Sequence, residues 1–459
     1  MRLDAWRPLL QALTAPAPAL PLHLPAHGRG RALAPPLAAL LRRPPGRWDL
    51  PELPSIGGPL EPEGAVAETQ AACAELLGAD LCRFGVNGAS GLLQVALLAL
   101  AAPGSSVLLP RNLHRSLLHG CVLGGLRPLL YTLPFDPLTG LWLPPDPAHL
   151  ARVLAAVGEP APAALVLLDP TYQGLAAPLD ALVAQAHAAG LPVLVDQAHG
   201  QGEAVAAGAD LTVLSLQKAG GGLAQSAALL ARGPRVSAEA IDRALLWLQT
   251  SSPSALLLAS AAAALAHGQS EAGRRQRDRT RQRAIALCRR LSTAGFPLLG
   301  GGDPLRLVLA TAPLGIRGSE ADDWLMQRGV VAELPEPGAL TFCLGLNPPR
   351  SLERRLPPTL AALRRELGGP PLLPFSPPPL PLVAAPELDL AIAWRAPRQR
   401  LPLAAAAGRL AAEPLCPYPP GIPLLVPGER IDPERAVWLE QQRRLWPGQI
   451  ADTVAVVAE

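Results

Sequence analysis

The stretch LSLQKAGGG (residues 214–222) holds the single lysine of this chain; the other 39 of its 40 Lys and Arg side chains are arginines. Arginine carries the same charge, stays protonated and makes better two-pronged contacts with carboxylates and phosphates. It cannot lose a proton and attack a carbonyl carbon. A desolvated lysine amine can, forming a Schiff base with a substrate or with pyridoxal phosphate. Codon bias could also leave one lysine by chance, so the neighbours of Lys218 must decide.

Two apolar runs end in an ionisable residue: LPVLVD, closing on Asp196, and LTVLSLQK, closing on Lys218. In open α/β sheets ligands gather at the carboxyl ends of the strands, so adjacent strands of this kind bring both groups to one crevice. That pair suits pyridoxal phosphate: a carboxylate keeps the pyridine nitrogen protonated and the ring an electron sink, while the lysine holds the aldehyde carbon. Asp196 alone would read as a strand-end residue capping its turn. A phosphate cradle is also present in FGVNGASGLLQVALLALAAPG (residues 84–104), a Gly-rich turn opening into an apolar helix. The N–H groups of Gly88, Ala89, Ser90 and Gly91 and the Ser90 hydroxyl would face the anion, aided by the helix dipole. No GKS or GKT follows, so it is not a Walker loop.

The elements that must position these groups follow the βαβ pattern of a parallel sheet from about residue 65 to 300. SSVLLP (105–110), RPLLYTL (127–133), AALVLLDP (163–170), LPVLVDQ (191–197) and LTVLSLQK (211–218) read as buried strands; VAETQAACAELLGA and PLDALVAQAHAAG read as helices. The pattern restarts with LRLVLAT and ALTFCLGL, giving a smaller α+β domain. We divide the chain into an N-terminal arm (1–64), a major domain (65–295), a small domain (296–367), a proline-dense connector (368–382) and a last segment (383–459).

In 459 residues, 49% are apolar and the mean hydropathy is +0.23, yet no segment reads as a continuous membrane span or a signal peptide. A net charge of +3 is too small a bias to argue for nucleic acid. The arginine-rich run from Glu271 to Arg290 reads as one solvated helix face. Six scattered cysteines without a CxxC pair, and eight histidines without HExxH, argue against a metal site or disulfide framework and for a reducing cytoplasm.

Taken in order, HLPAHGRG (23–30), GADLCRFGVNGASG (78–91), VLLPRNLHRS (107–116), DPTYQG (169–174), VDQAHG (195–200), SLQKAGGGLAQSA (215–227), LQTSSPSALLLAS (248–260) and PYPPGIPLLVPGE (417–429) resemble the motif series of the Orn/Lys/Arg decarboxylase family. The likeness covers most of the chain. It implies a pyridoxal-phosphate enzyme of the aspartate-aminotransferase-like fold, with a mostly parallel seven-stranded sheet, a smaller C-terminal α+β domain and a homodimeric assembly. Lys218 would be the lysine that holds the cofactor, and Asp196 the partner of its ring nitrogen. His114 would stack on one ring face and Ala198 on the other; Ser90, Ser215 and Gln217 would reach the phosphate, and His199 would relay a proton.

The chain departs from the family's pattern at several positions. Gln217 stands where the family has histidine, Gln197 where it has an acid, and Gly57-Gly58 where it has an aspartate pair; the stretch after Lys218 is richer in glycine. For a basic substrate, Asp49 and Glu52 in WDLPEL are the candidate acidic contacts, an exposed polar turn being an equal reading. The implied activity is decarboxylation of arginine, lysine or ornithine to an amine of polyamine metabolism. An aminotransferase or β-eliminating lyase on the same cofactor, and an inactive regulatory homologue, are the alternatives.

Overall fold

The computed structural model describes residues 7–44, 46–417, 421–446 and 448–458; residues 418–420 of the PYPPG motif lie outside them. The chain forms seven consecutive strands of one sheet: β1 (Leu81–Gly85), β2 (Ser106–Pro110), β3 (Arg127–Tyr131), β4 (Leu165–Leu168), β5 (Val193–Asp196), β6 (Leu211–Ser215) and β7 (Ala227–Ala231). A four-stranded antiparallel sheet follows, from β8 (Leu298–Leu299), β9 (Arg306–Ala310), β10 (Leu334–Glu336) and β11 (Ala339–Cys343). The chain then returns to the first sheet with β12 (Val383–Ala384), antiparallel on β3. The strand order is therefore β12-β3-β2-β4-β5-β6-β7-β1, with β7 antiparallel to both its neighbours and β3, β2, β4, β5 and β6 mutually parallel.

Strands covered on both faces must be largely apolar, which is why β4, β5 and β6 are built mostly of Leu and Val and are buried at every position. The five strands expected from such runs are all present. β7 was not among them because AALLA carries the alanine composition of a helix. Only its long-range pairing, Ala227 opposite Ser215 and Gly85, makes it a strand. With β12 the expected seven strands become eight. Asp196 ends β5 in register with Val213 of β6, which fixes its height relative to the turn that carries Lys218.

The helix Glu271–Thr293 links the two sheets, burying Gly273, Thr280, Ala284, Leu287 and Leu291 along one face and leaving most of its arginines toward solvent. The N-terminal arm does not stay apart: Leu20–Pro21 pairs in parallel with Val330–Val331 beside the small sheet. The proline-dense stretch runs without regular structure but is tied down, Gly369 N–H to the Leu314 carbonyl and Phe375 N–H to the Pro137 carbonyl, each within hydrogen-bond distance. The last segment builds its own core around the antiparallel pair of β13 (Arg398–Pro402) and β14 (Thr453–Val457) and the helix Pro433–Leu445 that lies between them in sequence. Among the described residues no helix is long and apolar enough to cross a membrane.

Leu194 in β5 is fully buried, and Leu194→Ala should cost about 2–5 kcal/mol in denaturant unfolding. The exposed Leu246→Ala should stay within about 0.5 kcal/mol of the parent.

Candidate active site

Lys218 is presented by the turn that leaves β6. Its N–H bonds the Ser215 carbonyl at 3.0 Å, and the turn closes through Leu216 N–H to the Ser226 carbonyl at 3.1 Å. The glycine run that follows has a steric cause. A Cβ at Gly221 would sit 2.6 Å from the Ala32 carbonyl oxygen, where the HLPAHGRG arm crosses the turn. The arm is also bonded to it, Ala26 N–H to the Gln217 carbonyl at 2.8 Å.

The cleft around this lysine is lined by Gly88, Ala89, Ser90, His114, Asp196, Ala198, His199, Ser215, Gln217 and Lys218, so nearly every residue expected from the sequence meets there. Gly91 belongs to the same helix start and is buried beside it. The helix Gly88–Leu100 begins at Asn87 with no side-chain cap, which leaves its positive end available to an anion. Asp196 is 2% exposed, and its Oδ1 accepts from the Ala198 N–H at 3.1 Å, so it caps its turn and also faces the cleft. Burial raises its pKa and Lys218 pulls it back down. His114 Nδ1 is fixed by the Ser116 hydroxyl at 2.8 Å, and burial lowers its pKa to about 4, keeping a flat, uncharged ring on the cleft wall. A buried carboxylate, an uncapped helix end and a lysine on one wall fit a phosphorylated pyridine aldehyde.

The lysine itself sits in a relay of which the sequence announced only His199. His199 Nε2 lies 3.2 Å from Lys218 Nζ, and His199 Nδ1 lies 3.2 Å from Nη2 of Arg306 in β9. Arginine is only ever a donor, so Nδ1 accepts and the proton of a neutral imidazole sits on Nε2. That N–H then faces the lysine nitrogen, an arrangement that favours the free amine. Burial pushes the His199 pKa well below 6.5, keeping it neutral. Burial also lowers the Lys218 pKa, Asp196 partly opposes this, and Arg306 adds to it. Arg306 further bonds the Lys218 carbonyl at 3.3 Å. Tyr172 completes the wall, its ring edge-on to His199 at 5.2 Å and 5.9 Å from Lys218 Nζ.

Arg306 was beyond sequence reasoning, one of 39 arginines and 88 positions from Lys218. Tyr172 lay inside the DPTYQG motif, where an aromatic residue two positions past a strand-end Asp-Pro was the available signal. Asp49 is exposed and Glu52 half-buried, and neither lines the cleft. The departures have local explanations. Gln197 accepts from the N–H groups of Gly202 and Ala204 at 3.0 and 3.2 Å and so organises the next turn. Gly57 sits at φ +69°, where a Cβ would meet the Glu63 carbonyl oxygen at 2.6 Å, so this loop has no room for an aspartate there.

Arg306→Gln should raise the pH midpoint for covalent capture of Lys218 by an aldehyde and borohydride by about one unit, because a like charge beside the amine is removed. The yield of modified peptide, followed by mass against pH, reads this directly. Lys218→Ala should show no capture at any pH.

The family model described as Orn/Lys/Arg decarboxylase, major domain, matches residues 22–296, and its C-terminal domain matches 383–446. An arginine decarboxylase of Halalkalibacterium halodurans is 30% identical, over 95% of this chain and 93% of the relative. Lysine decarboxylase A from Pseudomonas aeruginosa has a similar fold, with a TM-score of 0.75 at 19% identity over 99% of this chain and 80% of that one. The serine palmitoyltransferase of S. paucimobilis, solved with a bound pyridoxal-phosphate–myriocin adduct, is similar at a TM-score of 0.58 and 18% identity, over 76% and 88% of the two chains. With most of its cleft motifs inside the matched major domain, the chain belongs to the Orn/Lys/Arg decarboxylase family.

Proposed function

We propose that the protein is a pyridoxal-phosphate-dependent decarboxylase of a basic amino acid, arginine first among arginine, lysine and ornithine, releasing the amine and carbon dioxide. The observation that carries this reading is the buried Lys218, its cationic form disfavoured by burial and by Arg306, in contact with His199 and facing the buried Asp196. Arginine is preferred because the relative matched along nearly the full chain bears that activity in its name. Lys218 would hold the cofactor's aldehyde carbon, and Asp196 would pair with the ring nitrogen. The helix start at Gly88–Gly91, with Ser90, Ser215 and Gln217, would hold the phosphate, and His114 and Ala198 would cover the two ring faces. When bound, the cofactor supplies the electron sink for the pair left as the carboxylate departs.

The chain's own groups account for the rest. Neutral His114 contributes a flat surface without a charge that would clamp the departing carboxylate. His199 touches the Lys218 nitrogen and can pass a proton to or from it, so the pair can return a proton to the substrate's Cα. Among the described residues Asp196 is the only carboxylate lining the cleft, so recognition of a cationic side chain must come from elsewhere. We assign it to Asp49 and Glu52 reaching the cleft from a second copy of the chain in a homodimer. The free thiols suit a reducing cytoplasm.

Cofactor-loaded protein given arginine, lysine and ornithine should release one amine and one carbon dioxide per turnover, with arginine the best substrate. No turnover of any of the three would overturn the assignment, and keto acid in equal amount would make it an aminotransferase. Glu52→Gln should raise KM several-fold more than it lowers kcat, and the protein should elute as a dimer.

A further inference from the structure

A second cavity shares no lining residue with the Lys218 cleft. It lies where the major domain, the small sheet, the proline-dense stretch and the last segment meet. Its walls carry Phe135, Trp142, Phe375, Trp438 and Trp446, five aromatic side chains gathered in a chain that is only 3% aromatic. Phe135 and Trp142 pack edge to face at 5.7 Å and 79°, which fixes one corner. The Trp438 Nε1–H is committed to the Ser376 carbonyl at 3.1 Å, so that ring offers the cavity only its apolar, electron-rich surface.

Among the described residues one ionisable side chain faces these rings, Glu336, itself 6% exposed. Both its oxygens accept from the Gln173 amide nitrogen at 2.9 Å. That amide satisfies hydrogen bonds and leaves the charge unbalanced, and no ion pair to Glu336 occurs among the described residues. Burial raises its pKa to about 7, with Gln173 pulling it back. A third acceptor is idle: Asn112, 3% exposed, lines the same cavity, and its Oδ1 has no hydrogen-bond partner among the described residues. Ring faces attract cations, an unbalanced carboxylate needs one, and an orphaned carbonyl oxygen needs an N–H. An anion would be repelled, and an apolar guest would leave the Asn112 oxygen unmet and the Glu336 charge unbalanced.

We propose that this cavity binds a small organic cation with a guanidinium or primary ammonium head, seated between the indoles and on Glu336 and Asn112. The site stands apart from the reading of Lys218 and holds whatever reaction that cleft performs.

Calorimetric titration of the cofactor-loaded protein with methylguanidinium, methylammonium and the neutral isostere methylurea tests this. Indole fluorescence is followed in parallel. At least one cation should bind saturably and shift the fluorescence, and methylurea should not. Glu336→Gln, nearly isosteric and checked for folding by thermal melting, should weaken the cation about tenfold or more. Trp446→Ala, at the half-buried rim, should weaken it several-fold, and Lys218→Ala should leave it unchanged. The two cations separate a guanidinium site from an ammonium site. No saturable binding by either cation overturns the proposal, as do equal binding of methylurea, unchanged affinity in both cavity variants, or loss of binding in Lys218→Ala.

Discussion

An imidazole between two nitrogen donors cannot accept from both, and the cleft is organised around that constraint. Arg306 never gives up its proton, so His199 presents an N–H to Lys218, an arrangement that favours the lysine's free base. A primary amine in water is overwhelmingly protonated at neutral pH. Here burial, the arginine and the tautomer all act against that state, while Asp196 limits how far they succeed. The arginine arrives from the small sheet, so the reactive state of a group on the large sheet depends on how the two are docked.

This dependence gives the N-terminal arm a structural part. Its residues bond the Lys218 turn through Ala26 and Ala34, and its Leu20–Pro21 strand pairs beside the small sheet. One segment thus touches both bodies at the cleft, and Gly221 after Lys218 is the position where its backbone comes too close for any side chain, while Gly220 and Gly222 are crowded by Leu216 and Ser226 of the turn itself. The glycine-rich stretch after Lys218 is a packing surface.

The sequence was legible where chemistry and burial act locally. Strands buried on both faces had to be apolar runs, and Asp196 and Lys218 stood at their ends. The Gly-Ala-Ser-Gly turn had to precede its helix, and the cleft gathers these groups as expected. It was opaque where a role depends on contacts far apart in the chain. Arg306 resembles every other arginine until β9 is docked under the lysine turn. Ala227–Ala231 resembles helix until its two neighbours pair with it. Asp49 and Glu52 carried suitable chemistry, but the fold of a single chain leaves them outside the cleft. Gln197, singled out as a departure, proved to be a turn-former whose amide oxygen holds two backbone N–H groups.

Writing every other basic position as arginine has an effect on the protein's surface as well as its cleft. Side-chain acylation and isopeptide conjugation act on ε-amines, and the exterior offers guanidinium groups in their place. Side-chain amine chemistry is thereby confined to the one nitrogen that the cleft holds.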